Sequence, residues 1–213
     1  MSYELKSARY LARDVLARAR QEGRNAFDLM SELARTSPPG ANGVVFAPYL
    51  SGERCPWPDA SARGVLYGLS LSTTQGDMIR AVMEGIVYSL RQVVDIYRSF
   101  TRVDSVAASG GGAKGELFLR LQADIFGVPV VTLSAASEGG AYGAALIAGL
   151  GAGWYASAGE AVSVLKTEQE IQPDPSARDA YDRAFRLYSE IYPALKDVFQ
   201  KGSEVPARKD VSL

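Results

Sequence analysis

The chain has 213 residues, of which 47% are hydrophobic and 22% are charged, a composition typical of a globular protein with a substantial core. Its 23 basic and 24 acidic residues leave a formal net charge of -1, which gives no support for binding to nucleic acid or to a membrane surface. The absence of histidine excludes Ser-His-Asp catalysis and histidine-ligated zinc, and the single cysteine, Cys55, cannot form an internal disulfide and fits a reducing cytoplasm.

Two helices and a loop are predicted at the start of the chain. Apolar residues recur at helical spacing over residues 3–20, and no stretch of the sequence approaches the ~20 apolar residues that a membrane helix needs. A second helix is predicted over residues 26–35, with Asn25 as its N-terminal cap and Phe27 among its core-facing residues. Prolines and glycines in residues 36–43 indicate a loop.

Two short strands and a long helix are predicted next. The apolar run 44–47 and the segment 64–69 are typical of strands. Thr74 and Asp77 form the Thr-x-x-Asp pattern of a helix N-terminus, and the helix is predicted to run to about Ser99. It carries two adjacent apolar stripes, so we expect it to pack on more than one side.

The second half of the chain alternates strands and helices, which predicts an α/β fold. The predicted order is strand 103–108, helix 116–126, strand 128–133 and helix 139–151. A last helix is predicted over residues 177–192, and Pro193 is expected to kink or interrupt it before Val198. The polar residues 201–213 are expected to form a flexible tail.

The main chemical signal is the glycine-rich stretch Ser109-Gly110-Gly111-Gly112-Ala113-Lys114 between a predicted strand and a predicted helix. Glycines permit positive φ angles and close approach of a ligand, and the free amides at the start of the next helix attract anions. A simple strand-to-helix turn is the alternative interpretation. Gly115 follows where a P-loop has serine or threonine, so the sequence does not predict P-loop phosphate binding.

A second signal is the glycine content of the helix that starts with Glu138-Gly139-Gly140-Ala141-Tyr142-Gly143-Ala144-Ala145. Each interior glycine costs about 1 kcal/mol relative to alanine, so the helix should have another reason to keep them. Close packing against a neighbouring element is one reason, and a flat wall for an adenine ring is another. The two interpretations are compatible.

These segments together resemble the FGGY family of carbohydrate kinases over about residues 5–199. The segment 64–69, followed after seven residues by the segment 77–84, resembles the family's second signature. Residues 109–114 resemble its adenosine-binding loop, and residues 138–145 resemble the helix beside that loop. Tyr49-Leu50-Ser51-Gly52-Glu53-Arg54, followed by Pro56 and Asp59, is most similar to xylulose kinases, and gluconate kinases carry a close variant.

The resemblance implies an α/β fold of the actin/hexokinase-like (ribonuclease H-like) ATPase type. It implies that residues 1–200 form the C-terminal nucleotide-binding domain without its first strands. It also implies ATP and Mg2+ as cofactors and transfer of the γ-phosphoryl group to a sugar hydroxyl. Xylulose is the favoured sugar, and gluconate, ribulose or a glycerol-type polyol are alternatives. The residues expected to hold adenosine are Gly110, Gly111, Gly112, Ala113, Lys114, Glu116, Leu117 and Gly139.

The sequence lacks the family's Asp-x-Gly-Thr phosphate loop and the Gly-Asp-Gln-type motif that supplies its catalytic aspartate. We therefore assign no catalytic or metal-binding residue, and we expect Mg2+ to be held mainly by ATP and by an N-terminal kinase half. That half is the expected partner, a homodimer is an alternative, and the core sheet is expected to have an unpaired edge. Alone, the chain is expected to be inactive; the alternative function is a non-catalytic nucleotide-binding or interaction module derived from a sugar kinase.

Several single residues are expected to serve the structure rather than catalysis. Glu84 lies in an otherwise apolar helix and is expected to pair with Arg80, one turn earlier. Glu53 and Arg54 have two interpretations, lining of the cleft or a local ion pair that fixes their loop, and the ion pair is favoured. Trp57 and Trp154 are expected to be packing anchors rather than platforms for a sugar.

Overall fold

The computed structural model describes residues 8–113, 115–134 and 139–202. Helices and short strands over these ranges confirm the α/β class. The helices are α1 Ala8–Glu22, α2 Ala26–Arg35, α3 Gln75–Arg98, α4 Glu116–Phe126, α5 Gly139–Gly151, α6 Ala158–Ser163 and α7 Arg178–Gly202. The strands are β1 Val45–Ala47, β2 Val65–Tyr67, β3 Val106–Ala108, β4 Val130–Leu133 and β5 Thr167–Ile171.

The chain divides into two compact units. The first unit contains the residues up to Ile96 and those from Asp179 onward, and the second runs from Tyr97 to Arg178. Helices dominate the first unit, in which β1 and β2 form an antiparallel pair. The second unit is built on a sheet with the strand order β3-β4-β5.

The start of α2 confirms one predicted cap and corrects one predicted core residue. The backbone N–H of Phe27 donates to Oδ1 of Asn25 over 2.8 Å, as a helix cap requires. The Phe27 side chain is 77% exposed, so its predicted place in the core is wrong. Leu29 is buried instead, because it lies on the helix face that packs against Val15 and Ala19 of α1.

Of the two outcomes predicted at Pro193, a kink or an interruption, helix α7 excludes the interruption. The helix continues from Arg178 to Gly202 with Pro193 inside it, so residues 201 and 202, predicted as tail, are helical. A proline inside a helix removes one hydrogen bond, but aromatic packing on both sides of it holds the chain in place. Tyr188 and Phe199 are both buried, and Tyr192 packs against Phe199. The predicted tail from residue 203 lies outside the described residues.

The sheet of the second unit is mixed. Strands β3 and β4 are parallel, with Val106 opposite Val130, and β5 runs antiparallel to β4. Strand β5 and helix α6 were not predicted, because residues 167–170 are polar and exposed on both faces and therefore lack the apolar alternation of a strand. Pairing with β4 forms β5 despite its composition.

The two edges of this sheet differ in chemistry. Among the described strands β3 is paired on one side only, and its three residues are Val106, Ala107 and Ala108. Strand β5, at the other edge, carries Glu168 and Glu170, and charges of this kind discourage further pairing. Of the two edges, that of β3 therefore carries no charge to discourage further pairing. Over the described ranges, no helix is both long enough and apolar enough to cross a membrane.

Candidate functional site

The glycine-rich loop lies at the carboxyl end of β3. Ala108 ends the strand as a buried residue, and Gly110–Ala113 form a turn of 3-10 helix with Gly110 at a φ of 65°. A φ in this left-handed region favours glycine. Helix α4 then begins at Glu116, and Gly115, at its N-cap position, provides no side-chain cap for the first amides. The start of α4 therefore offers partial positive charge near the loop.

Helix α5 leaves from the same edge of the sheet. Because β3 and β4 are parallel, their carboxyl ends meet at one edge, and the loop follows β3 while α5 follows β4 along the chain. A Cβ built on Gly139 would lie 3.3 Å from Cβ of Ser109, which is tighter than most real contacts. The first residue of α5 thus lies against the residue that precedes the loop.

Four glycines of the two segments border open space. A Cβ built on Gly110 or Gly111 would meet no described atom within 4 Å, and the same holds for Gly140 and Gly143 in α5. Packing among the described residues therefore does not exclude a side chain at these four positions, although the positive φ of Gly110 favours glycine there. Of the two sequence interpretations of α5, close packing applies at Gly139, where Ser109 is the neighbour, and at Gly149, where Tyr155 is the neighbour.

The remaining candidate residues differ in what they present to this region. Glu116 is exposed in the first turn of α4, whereas the side chain of Leu117 is buried in the core and leaves only its backbone near the loop. Lys114 lies outside the described residues. Sequence reasoning did not single out Ser109, although the parallel order of the two strands is the signal that would have placed it beside Gly139.

The acidic residues near the sheet have structural partners. Oδ1 of Asp124 accepts the backbone N–H of Asp174 over 2.7 Å, and Asp104 pairs with Arg102 at the surface. Among the described residues, no group of three or more aspartate, glutamate, cysteine or histidine side chains could hold a metal ion.

Asp77 confirms the predicted start of α3. Its Oδ2 accepts the backbone N–H and the hydroxyl of Thr74, each over 2.8 Å, and the N–H of Asp77 donates to the Thr74 hydroxyl over 3.1 Å. Its Oδ1 accepts from Ser37 over 2.5 Å and from Asn42 over 2.8 Å. Burial would raise the pKa of Asp77, but these hydrogen bonds outweigh it and hold the pKa below its usual range.

The predicted pair of Arg80 and Glu84 is also present. Nε of Arg80 lies 2.7 Å from Oε1 of Glu84, a side chain that is 1% exposed. The same Oε1 accepts the backbone N–H of Gly40 over 3.1 Å. Arg80 further donates to the carbonyl oxygen of Ser37 over 2.8 Å and to the hydroxyl of Tyr181 over 2.6 Å. The second signature thus ties α3 to the loop before β1 and to α7.

The loop that resembles xylulose kinases is closed by its own backbone. Glu53 and Asp59 exchange two backbone hydrogen bonds of 2.9 and 3.0 Å. Oε1 of Glu53 accepts the backbone N–H groups of Arg54, over 2.6 Å, and of Cys55, over 3.1 Å. Glu53 therefore fixes its loop, as expected, but through amide groups rather than through the expected ion pair.

The two tryptophans have different surroundings. Trp57 stacks on Tyr192 of α7 with 5.4 Å between ring centroids, and the Tyr192 hydroxyl donates to Oδ2 of Asp59 over 3.1 Å. The packing role predicted for Trp57 is confirmed. Trp154 is 78% exposed, so its predicted role as a packing anchor is wrong, because it lies in the short turn after α5 where few residues surround it.

Comparisons of the sequence with known proteins agree on one family. The sequence profile of the FGGY family of carbohydrate kinases, C-terminal domain, matches residues 5–152. A xylulose kinase from Staphylococcus epidermidis is 39% identical over 175 residues, which cover 81% of this chain and 35% of that protein. A xylulose kinase from Bacillus subtilis is 37% identical over the same shares, and a glycerol kinase from Saccharolobus islandicus is 32% identical over 73% of this chain.

Solved structures give the same result. A ligand-bound xylulose kinase from Lactobacillus acidophilus matches with a TM-score of 0.77 at 31% identity, over 88% of this chain and 39% of that one. A gluconate kinase from the same species matches with a TM-score of 0.73 at 30% identity, over the same shares. The chain spans about a third of the length of the curated relatives that it matches. It belongs to the FGGY family of carbohydrate kinases and corresponds to their C-terminal domain.

Proposed function

We propose that this chain is the adenosine-binding part of an ATP-dependent kinase that phosphorylates xylulose. The observation that carries the proposal is the meeting of the glycine-rich loop and α5 at one edge of the sheet. Gly139 lies against Ser109 there, and Gly110, Gly111, Gly140 and Gly143 all border space that no described atom fills. A ligand that approaches the backbone closely is a physical reason for four side chains to be absent.

An adenosine group fits this surface by shape and by charge. Gly140 and Gly143 are three residues apart in α5 and therefore lie on one face of the helix, where two absent side chains leave a flat wall for a ring. The N-cap residue of α4 provides no side-chain hydrogen bond, so the amides at the start of this helix can donate to the ribose oxygens of the nucleoside. We propose that the backbone of Gly110–Ala113 and of Leu117, the side chains of Lys114 and Glu116, and Gly139 contact the nucleoside.

The contribution of these residues to phosphoryl transfer is positional. ATP supplies the γ-phosphoryl group when it is bound. Residues that fix the adenosine end reduce the freedom of the nucleotide, and such positioning accounts for much of the rate that kinases achieve. We propose that the catalytic base and most ligands of Mg2+ come from the part of the kinase that the relatives carry outside the matched stretch.

The proposal that xylulose is the substrate rests on sequence identity to relatives. The proteins named xylulose kinase share 37% and 39% identity with this chain over 81% of its length, whereas the glycerol kinase shares 32% over 73%. A gluconate kinase is structurally close as well, so gluconate is the second candidate. We place the enzyme in the cytoplasm, because Cys55 is a free, exposed thiol in a chain without other cysteines.

Calorimetric titration of the chain with ADP, adenosine and tripolyphosphate tests the adenosine assignment. We expect ADP and adenosine to bind and to compete with each other, and we expect tripolyphosphate to leave ADP binding unchanged. Gly140→Val should weaken ADP binding at least about tenfold, because the added side chain fills the proposed ring site. Gly151→Val is the matched control, since Gly151 ends the same helix and also faces open space.

Three outcomes would contradict the proposal. Displacement of ADP by tripolyphosphate would mean that the site holds phosphate rather than adenosine. Equal ADP affinity in the Gly140→Val and Gly151→Val variants would place the nucleotide elsewhere. Turnover of xylulose by the chain alone would contradict the assignment of the catalytic base to another part of the kinase.

A further inference from the structure

Helix α3 buries two charged side chains beside the apolar residues Val87 and Tyr88, and it leaves other apolar residues exposed. Its charged residues Arg80 and Glu84 are 7% and 1% exposed, whereas its apolar residues Ile86 and Leu90 are 40% and 43% exposed. A surface helix of a globular protein normally turns its apolar stripe inward and its charges outward. The observed arrangement therefore needs an explanation beyond the helix itself.

The exposed residues form one continuous face. Val82, Ile86, Leu90 and Val93 recur at intervals of four, four and three residues, and all four are half-buried or exposed. We call them the α3 stripe. Ile79, one turn before the stripe, packs against the cluster of buried residues from α1 and α2.

The charged face holds the helix in this orientation. Arg80 and Glu84 bond to the loop before β1, and Arg80 also bonds to Tyr181 of α7. Arg91 lies 2.8 Å from Asp182 of α7 and stacks over a ring of the same helix. Rotation of α3 to bury the stripe would break these contacts and leave buried charges unpaired, at a cost of several kcal/mol. Helix α3 therefore cannot bury the stripe by rotation, and the stripe remains available to another element.

We propose that the α3 stripe is the docking surface for the part of the kinase that relatives carry outside the matched stretch. The chain corresponds to 35% of a Staphylococcus epidermidis xylulose kinase, so a large remainder is available to cover it. The uncharged, unpaired edge of β3 argues separately for further strands. A stable interface between two copies buries about 800 Å² on each copy, and a stripe of four side chains is small for that. A segment of the same polypeptide needs less area, because it does not lose the freedom of a separate molecule.

Thiol reactivity tests this proposal without reference to nucleotide binding. Leu90→Cys is made in a Cys55→Ser background, both in the isolated chain and in a chimera in which this chain replaces the matched stretch of the Staphylococcus epidermidis xylulose kinase. We expect the chimera to slow the reaction of Cys at position 90 with a thiol reagent at least about 100-fold, because burial excludes the reagent. Phe27→Cys, at an exposed position of α2, should react equally in both proteins. Leu29→Cys, at a buried position, should be protected in both and reports folding.

Two results would overturn the proposal. Equal reactivity of Cys at position 90 in the chain and in the chimera would show that the kinase remainder leaves the stripe uncovered. If protection of Cys at position 90 in the isolated chain increases with protein concentration, a second copy of the chain covers the stripe. Neither result bears on adenosine binding, because the proposed nucleotide site and the stripe share no residue.

Discussion

Glycines in α3 and glycines in the loop and α5 serve different purposes. A Cβ on Gly85 would clash with the carbonyl oxygen of Phe46, and a Cβ on Gly76 would clash with the side chain of Thr36. A Cβ on Gly111 or Gly140 would meet nothing among the described residues. The protein's own packing therefore requires glycine in α3. At Gly111 and Gly140 packing among the described residues does not require glycine, and our proposal assigns the requirement there to a ligand.

Polar groups repeat this contrast. In α3, Asp77, Arg80 and Glu84 are buried and each has partners on other elements. At the start of α4 the first amides have no side-chain cap, and Glu116 is exposed. One family signature thus maintains the fold, and the other combines glycines that border unfilled space with a helix start that has no side-chain cap. Substitutions in the two regions should separate stability from binding.

Arg80→Met should have the largest effect on stability. It leaves the carboxylate of Glu84 buried without its cation, and breaking a buried pair in this way costs about 3–5 kcal/mol in the free energy of unfolding. Urea denaturation followed by circular dichroism measures the change. Arg186→Met, at an exposed position of α7, should stay within about 0.5 kcal/mol of wild type. A loss below about 1 kcal/mol for Arg80→Met would mean that the pair does not stabilise the fold.

Gly85→Ala should have the next largest effect on stability. The new methyl group has no room beside the carbonyl oxygen of Phe46, and overpacking of this kind costs about 1–3 kcal/mol. Gly151→Ala, at an open position, serves as the control, and both are measured by urea denaturation. Equal stability of the two variants would contradict the view that packing requires glycine in α3.

Asp77→Asn should change how stability depends on pH. Because the pKa of Asp77 is lowered in the folded protein, the carboxylate stabilises the fold fully above its unfolded value of 3.8, and this contribution is lost as the pH falls through the lower, folded value. Between pH 6 and pH 3 the variant should therefore lose less stability than wild type. Asp104→Asn, at an exposed ion pair, should keep the wild-type profile. If the stability of Asp77→Asn falls between pH 6 and pH 3 as steeply as that of wild type, the role assigned to the hydrogen bonds of Asp77 is wrong.

Gly143→Ala should have the smallest effect on stability and the opposite sign. Alanine favours a helix over glycine by up to about 1 kcal/mol, and no described atom opposes the new methyl group. The unfolding midpoint should rise slightly while the affinity for ADP falls. A fall in stability would show that an element of the chain packs against Gly143.

Local sequence patterns predicted most of the elements, because their signals are local. Helix α2 and helix α5 have the predicted bounds, and Asn25 and Thr74 cap their helices as expected. The failures come from tertiary contacts. Pro193 lies inside a helix that aromatic packing maintains, and β5 is a strand only through its pairing with β4.

The candidate site was predictable in part. The glycines of the loop and of α5 stood out because glycine is unusual in a helix and frequent near ligands. Their meeting through Ser109 and Gly139 depends on the parallel order of β3 and β4, which no local pattern contains. The polarity of α3 was hidden as well, because its two apolar stripes do not reveal which side the charges of Arg80 and Glu84 occupy.

Hydrogen exchange with and without ADP tests the central contrast most directly. If the loop and the start of α5 bind the nucleotide while α3 maintains the fold, ADP should slow exchange of the amides in residues 110–113 and 139–143 and leave those of α3 unchanged. Absence of protection in both segments, or protection confined to α3, would contradict the account.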